Sequence, residues 1–175
     1  MANLISRWLT RRGYGVQSPF AYHIVRNVIV ECLPFYAYYE LRERFGKRKN
    51  EHFLQLMLRL ANEVQPATYY LSKDVCTEPL TAYIHAGSHN SKAVENVEPQ
   101  ANISLLVAAY ALEVENFYQH ISEGGCLVVT NISIHRNKWK QLCKNLLRAS
   151  FTVFDCGKYA LAFRKKHLHP TLYSL

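Results

Sequence analysis

The sequence predicts an α/β domain on a mostly parallel sheet, and three features of its 175 residues carry that prediction. The runs Ile103–Ala109 and Cys126–Ile132 are nearly continuous in apolar residues, as strands covered on both faces of a parallel sheet require. Between them Glu113 and Glu115 favour a helix start, Val114, Phe117, Tyr118 and Ile121 recur at helical spacing, and Gly124-Gly125 offers a left-handed stop. Strand, helix and strand in that order make a right-handed crossover unit. Finally, Phe151–Asp155 and Tyr159–Arg164 flank Cys156-Gly157-Lys158, a short hairpin turn that adds an antiparallel edge.

The remaining elements follow along the chain. Asn3–Arg12 puts Leu4, Ile5, Trp8 and Leu9 on one face, a short amphipathic helix that either docks on the domain, the commoner fate of so short an element, or lies on a membrane surface. Gly13 and Gly15 loosen the backbone, Ser18 can cap, and Pro19 opens a helix from about Pro19 to Cys32. Pro34 ends it. The aromatic run Phe35, Tyr36, Tyr38 and Tyr39 leads into a basic helix over Tyr38–Phe45, a polar loop Gly46–Asn50, and an amphipathic helix Glu51–Val64 stopped by Pro66. Thr68–Ser72 and Leu80–Ala86 read as short strands, and Lys73–Pro79 between them is too short for a full crossover. Ser88–Val97 reads as a helix capped by Ser88 or Asn90, and His135–Ala149 as an amphipathic helix with Trp139, Leu142, Cys143, Leu146 and Leu147 on its apolar side. The tail from Lys165 reads as loose. The expected organisation is an N-terminal helical extension at 1–50, an α/β domain at 51–165 and a tail at 166–175.

Composition bounds the function. With 49% hydrophobic and 19% charged residues the chain can bury a core, and no stretch approaches the ~20 apolar residues of a membrane span. With no secretory signal visible after Arg7, Arg11 and Arg12, a cytoplasmic location is expected. The five cysteines contain no C-x-x-C pair, so reduced, mostly buried thiols are expected; the eight histidines show no ligand spacing, so no metal is expected. The net charge of +8 is uneven: residues 1–50 carry nine Lys and Arg against three acids, residues 51–125 three against nine, and residues 126–175 nine against one. The basic ends either pair with the acidic centre or form a face for phosphate or nucleic acid; the first is favoured, because no aromatic-basic motif accompanies the charge.

In order, these elements resemble class I S-adenosylmethionine-dependent methyltransferases. The segment GYGVQSPFAYHIV, followed by FYAYYEL, is similar to a group of bacterial, mainly Bacteroidetes, proteins assigned to that class, in which a G-V-H-S-P-F stretch precedes the domain; here Gln17 stands in place of the histidine. The resemblance implies a Rossmann-like, methyltransferase-type three-layer sandwich with a reduced, mostly parallel sheet. It also implies a glycine-rich loop after the first strand and acids at several strand ends. Thr68–Asp74 has no glycine, His85 stands where the ribose acid of the second strand is expected, and Val107-Ala108-Ala109-Tyr110 and Val129-Thr130-Asn131 end without acids.

Two functions are therefore carried forward. One is a degenerate, non-catalytic methyltransferase-like protein with a binding or scaffold role, no cofactor and no catalytic residue. Its partner is unnamed; the aromatic N-terminal segment, with Tyr14, Gln17, Ser18, Tyr38 and Tyr39, is the candidate recognition surface for a substrate or partner. The other is an active enzyme that holds S-adenosylmethionine in an altered cleft formed by Ser72, His85, Ser88 and Asn131. A third strand lost from the sheet would expose an edge and make a homodimer reasonable.

Overall fold

Whether a segment becomes helix or strand here is decided by what its apolar face can be buried against. The computed structural model describes residues 16, 18–33, 35–95, 102–115 and 117–175. The expected helix Asn3–Arg12, the glycines at 13 and 15, and Tyr14, Gln17 and Pro34 lie outside them. Two compact units result: a helical one, the chain to Gln65 with Cys76–Asn90, and a sheet unit, Pro66–Val75 with Ser91–Leu175.

The helical unit is organised on a central helix. α1 (Pro19–His23) starts as expected, with Pro19 in its first turn and the Ser18 hydroxyl accepting from the Ala21 N–H at 3.3 Å, and it widens into a π-helical segment over Ile24–Ile29. α2 (Tyr36–Phe45) stops at Gly46 in the left-handed region, φ 69°. α3 (Glu51–Val64) has the expected bounds and is buried nearly all round from Leu56 to Ala61, which makes it the unit's core. α4 (Glu78–Gly87) corrects the strand expected at Leu80–Ala86. Tyr83 and Ile84 suit a strand, but Thr77 caps the Leu80 N–H at 3.4 Å, Glu78 and Pro79 fill the first turn, and the buried residues Leu80, Tyr83, Ile84 and Gly87 follow a helical stripe. α4 lies against α3 so closely that a Cβ on Gly87 would fall on the Leu58 carbonyl oxygen and 2.9 Å from the Ala61 Cβ.

The sheet unit has seven strands in the order β2-β1-β3-β4-β6-β5-β7. β1 (Thr68–Leu71) pairs in parallel with β2 (Lys92–Ala93) and β3 (Ile103–Ala108), and β3 pairs in parallel with β4 (Ile121–Val129). β6 (Ala160–Arg164) then runs antiparallel to both β4 and β5 (Phe151–Asp155), and β7 (Leu172–Ser174) returns parallel to β5. The architecture is α/β with a mostly parallel, Rossmann-like sheet, and the parallel β3–β4 pair at its centre is the one expected.

Four expectations change. β2 occupies part of the helix expected at Ser88–Val97, because the Lys92 and Val94 N–H groups bond the Ala67 and Tyr69 carbonyls of the β1 edge. The connection from β1 to β2 runs through α4, so a full crossover exists where none was expected. The helix expected between the central strands shrinks to α5 (Ala111–Val114) and one 3-10 turn, Tyr118–His120; Gly124 and Gly125 form an irregular stretch inside β4, where Ile103 faces Ile121 but Leu105 faces Cys126. A Cβ on Gly125 would meet the Ser104 carbonyl oxygen at 2.9 Å, so this close approach explains the glycine better than a helix stop does. The tail is not loose, since β7 forms there and Leu175 is fully buried.

α6 (Arg136–Arg148) lays Trp139, Leu142, Cys143 and Leu146 on one face of the sheet, against Leu127, Val129, Phe151 and Val153. Each such large side chain contributes ~1.5–3 kcal/mol on full burial. Of the cysteines only Cys126 and Cys143 are buried, which corrects the expectation of mostly buried thiols; all five are free, and burial pushes the Cys143 thiol up to about 12. Asp155 is fixed between helix, hairpin and tail. Its Oδ2 accepts from Arg136 Nη2 at 2.7 Å and Trp139 Nε1 at 3.0 Å, its Oδ1 from the Gly157 N–H at 2.9 Å, and its carbonyl oxygen from the Leu175 N–H at 2.8 Å.

Two outcomes follow. Gly87→Ala should lower stability by ~1–3 kcal/mol, read by denaturant titration, because the clash is with backbone that must move; an unchanged midpoint would contradict the α3–α4 packing. Burial alone would raise the Asp155 pKa, but the Arg136, Trp139 and Gly157 donors hold it below the ordinary value. A depressed folded pKa gives stability that is complete above the unfolded value of about 3.9 and is lost as pH falls through the folded one. Asp155→Asn should therefore be less stable than the parent by on the order of 2 kcal/mol at pH 7, with the gap narrowing as pH falls below the unfolded value of about 3.9; a gap that stayed constant in melts through that fall would refute the assignment.

Candidate functional site

In an open α/β sheet, ligands bind beyond the carboxyl ends of the strands where the strand order reverses. Here the chain passes from β1 to β2 on one side and then to β3 on the other, so the reversal lies between β1 and β3. A cavity of about 350 Å³ occurs at that position. Tyr70, Leu106, Ala108 and Phe117 form its apolar wall, and Ser72, Lys73, Asp74 and Glu113 its polar part.

The polar groups nearest the strand ends bond one another. The Ser72 N–H donates to the Val107 carbonyl at 2.9 Å, and its hydroxyl accepts from the Ala109 N–H at 3.2 Å. The same N–H is shared with Glu113 Oε2, also at 3.2 Å. The turn after β1 closes with the Val75 N–H on the Ser72 carbonyl at 3.0 Å, and side chains rather than glycines line it. Beyond β4, Thr130 donates from its hydroxyl to the Ala109 carbonyl at 3.3 Å, and Asn131 adopts φ 52° with its amide on the Thr130 hydroxyl at 3.4 Å. Tyr110 and His135 meet edge to face with ring centroids 5.8 Å apart.

Of the four cleft candidates, Ser72 lines the cavity and Asn131 is an exposed residue following β4. His85 lies on α4 and Ser88 at its C-terminal end, in the helical unit. Among the recognition candidates, Ser18 is the cap of α1 and Tyr39 is exposed. Tyr38 is buried, donating to the Gln55 carbonyl at 3.2 Å and accepting from Arg59 Nη1 at 2.9 Å, so it holds structure rather than forming an open wall.

Sequence reasoning missed Glu113 as a site residue, having read it only as a helix-start signal, and it missed Glu95. With β2 at Lys92–Ala93, Glu95 follows the strand by two residues, in an exposed bend just past its carboxyl end. A correct placement of the strand would have found it. Among the described residues no group of three His, Cys, Asp or Glu side chains could hold a metal ion, and no helix is long and apolar enough to cross a membrane. No protein-family model and no curated protein matches this chain.

The shared Ala109 N–H gives a test of the site's construction. Ser72→Ala and Glu113→Ala should each cost less than about 1 kcal/mol, because one acceptor remains. The combination Ser72→Ala with Glu113→Ala should cost ~1–3 kcal/mol, more than the sum of the two alanine variants, because a buried donor is then unpaired. Additive losses in a double-mutant cycle would show that the two acceptors do not share that N–H.

Proposed function

We infer that the protein is a non-catalytic binding or scaffold protein on a methyltransferase-like sheet. One observation carries this reading: the strand ends at the β1–β3 reversal are bonded to each other, Ser72 and Glu113 both accepting from the Ala109 N–H. In the fold it resembles, that position has a glycine-rich loop that lets the cofactor approach the backbone. The turn here carries Ser72, Lys73, Asp74 and Val75 with no glycine among them, so its backbone lacks the bare approach that such a loop gives S-adenosylmethionine. A parallel centre with an antiparallel hairpin agrees with the resemblance at the level of fold, and fold alone does not carry chemistry.

A second reading, an enzyme with an atypical S-adenosylmethionine pocket, is favoured by Glu95. An acid just past the second strand suits the two hydroxyls of a ribose, and the cavity beside Ser72 and Asp74 adjoins the strand with which β2 pairs.

Titration calorimetry with S-adenosylmethionine and its demethylated product separates the two. No isotherm at ligand concentrations up to about 1 mM, where only ~4 kcal/mol of binding energy is needed, is the expected outcome. A saturable micromolar isotherm that disappears in Glu95→Gln would replace the first reading with the second.

A further inference from the structure

The helical unit contains a larger cavity, about 510 Å³, beside the π-helical segment Ile24–Ile29. Arg59 of α3 lines it while being only 6% exposed. Its Nε donates to the Val28 carbonyl at 2.8 Å and its Nη1 to the Tyr38 hydroxyl at 2.9 Å. Both partners are neutral, and Arg59 forms no ion pair with any described carboxylate. A guanidinium this far withdrawn from water is costly when no carboxylate bonds it directly; Glu31 is near enough for the Arg59 charge to help lower its pKa but not to form an ion pair, and Nη2 remains to donate to an anionic group.

Two carboxylates line the same cavity. Glu31 uses Oε1 to accept from the Leu33 and Cys32 N–H groups at 2.6 and 2.7 Å, which leaves Oε2 open. The Leu33 N–H does most to hold this carboxyl below its ordinary pKa, so it is ionised at neutral pH. Glu63 accepts from His23 Nε2 at 2.9 Å, and Asn27 donates to His23 Nδ1 at 2.8 Å, which places the ring proton on Nε2. A simple anion would find Arg59 but be repelled by Glu31 and Glu63; a simple cation would meet the reverse. A molecule carrying both charges on adjacent groups satisfies the cavity, and Leu33, Phe35 and the 92%-exposed Tyr36 supply an apolar side to it. The π-helical segment is itself an uncommon conformation, concentrated at functional sites.

We propose that this cavity binds a free α-amino acid with an apolar or aromatic side chain, its carboxylate on Arg59 and its ammonium on Glu31. The site lies wholly within the helical unit and does not depend on the reading of the sheet.

The test uses the full chain and three probes in calorimetry: L-phenylalanine, 3-phenylpropanoate, which lacks the ammonium, and phenethylamine, which lacks the carboxylate. L-phenylalanine should bind saturably and each analogue roughly tenfold more weakly or worse, since each loses one charge-assisted contact. Glu31→Gln, at a partly exposed position, should keep the parent's melting temperature and weaken L-phenylalanine roughly tenfold while leaving 3-phenylpropanoate unchanged or tighter. Arg59→Lys, which loses the fixed guanidinium fork, should weaken L-phenylalanine and 3-phenylpropanoate while leaving phenethylamine unchanged; if it fails to fold, Glu31→Gln alone decides. Absence of L-phenylalanine binding at about 10 mM, equal binding of the three probes, or an unaffected Glu31→Gln variant would each overturn the proposal.

Discussion

The carboxylate of Asp155 is the interaction on which the sheet unit depends. It is the one buried acid among the described residues, and it joins elements far apart in sequence: Arg136 and Trp139 from α6, Gly157 from the hairpin turn, and through its own carbonyl the final residue, Leu175. A charge withdrawn from water is tolerated only where several donors reach it. The carboxylate's donors exist only when α6 lies on the sheet and the β5–β6 turn is closed, so failure of either leaves it unsatisfied, while loss of β7 would leave the Asp155 carbonyl without Leu175. The apolar side of α6 supplies most of the free energy; Asp155 fixes which arrangement of it is adopted.

Elements whose burial comes from their own sequence pattern were legible. α3 and α6 carry apolar stripes long enough to specify both their ends and their faces, and the continuous runs of β3 and β4 specify burial on both sides. Short elements whose state is set by a distant partner were not. Lys92-Ala93 has no strand pattern and is a strand only because the β1 edge offers Ala67 and Tyr69 carbonyls. Leu172–Ser174 is ordered likewise by β5. In α4 the two signals conflict within the sequence itself: Thr77-Glu78-Pro79 announces a helix start, and it prevails over the β propensity of Tyr83 and Ile84. Reading that stretch as a strand hides the crossover, displaces the second strand and conceals Glu95.

The candidate site was less legible than the fold because its residues have uninformative types. Ser72 was found as a polar residue at a strand end. Glu113 is part of the site through a contact with Ala109 that depends on how tightly the chain turns after β3, and α5 is shorter than its sequence suggests. Arg59 is similar: in sequence it is one cation on an amphipathic helix, usually a solvated position, and only the π-helical widening and the Tyr38 hydroxyl make it a buried one. The aromatic run after Pro34 was read as one surface, whereas its members divide, Tyr38 inward and Tyr36 and Tyr39 outward.

The uneven charge divides in the same manner. Two of the N-terminal basic residues meet acids of the middle of the sequence within the helical unit, Arg44 with Glu78 at 2.8 Å and Arg42 with Glu51 at 3.6 Å. Such exposed pairs contribute only ~0–1 kcal/mol each, so they neutralise the surface more than they stabilise it. On the sheet unit, Lys138, Lys140, Lys144 and Arg148 stay exposed along α6, and Arg136 turns to Asp155. A face that grips nucleic acid combines cations with aromatic platforms for the bases. The exposed face of α6 has the cations alone, since its aromatic residue, Trp139, is buried against the sheet with its indole N–H on Asp155. That geometry fits a solvated basic face, whereas the aromatic side chains near the cavity of the helical unit stand beside polar groups.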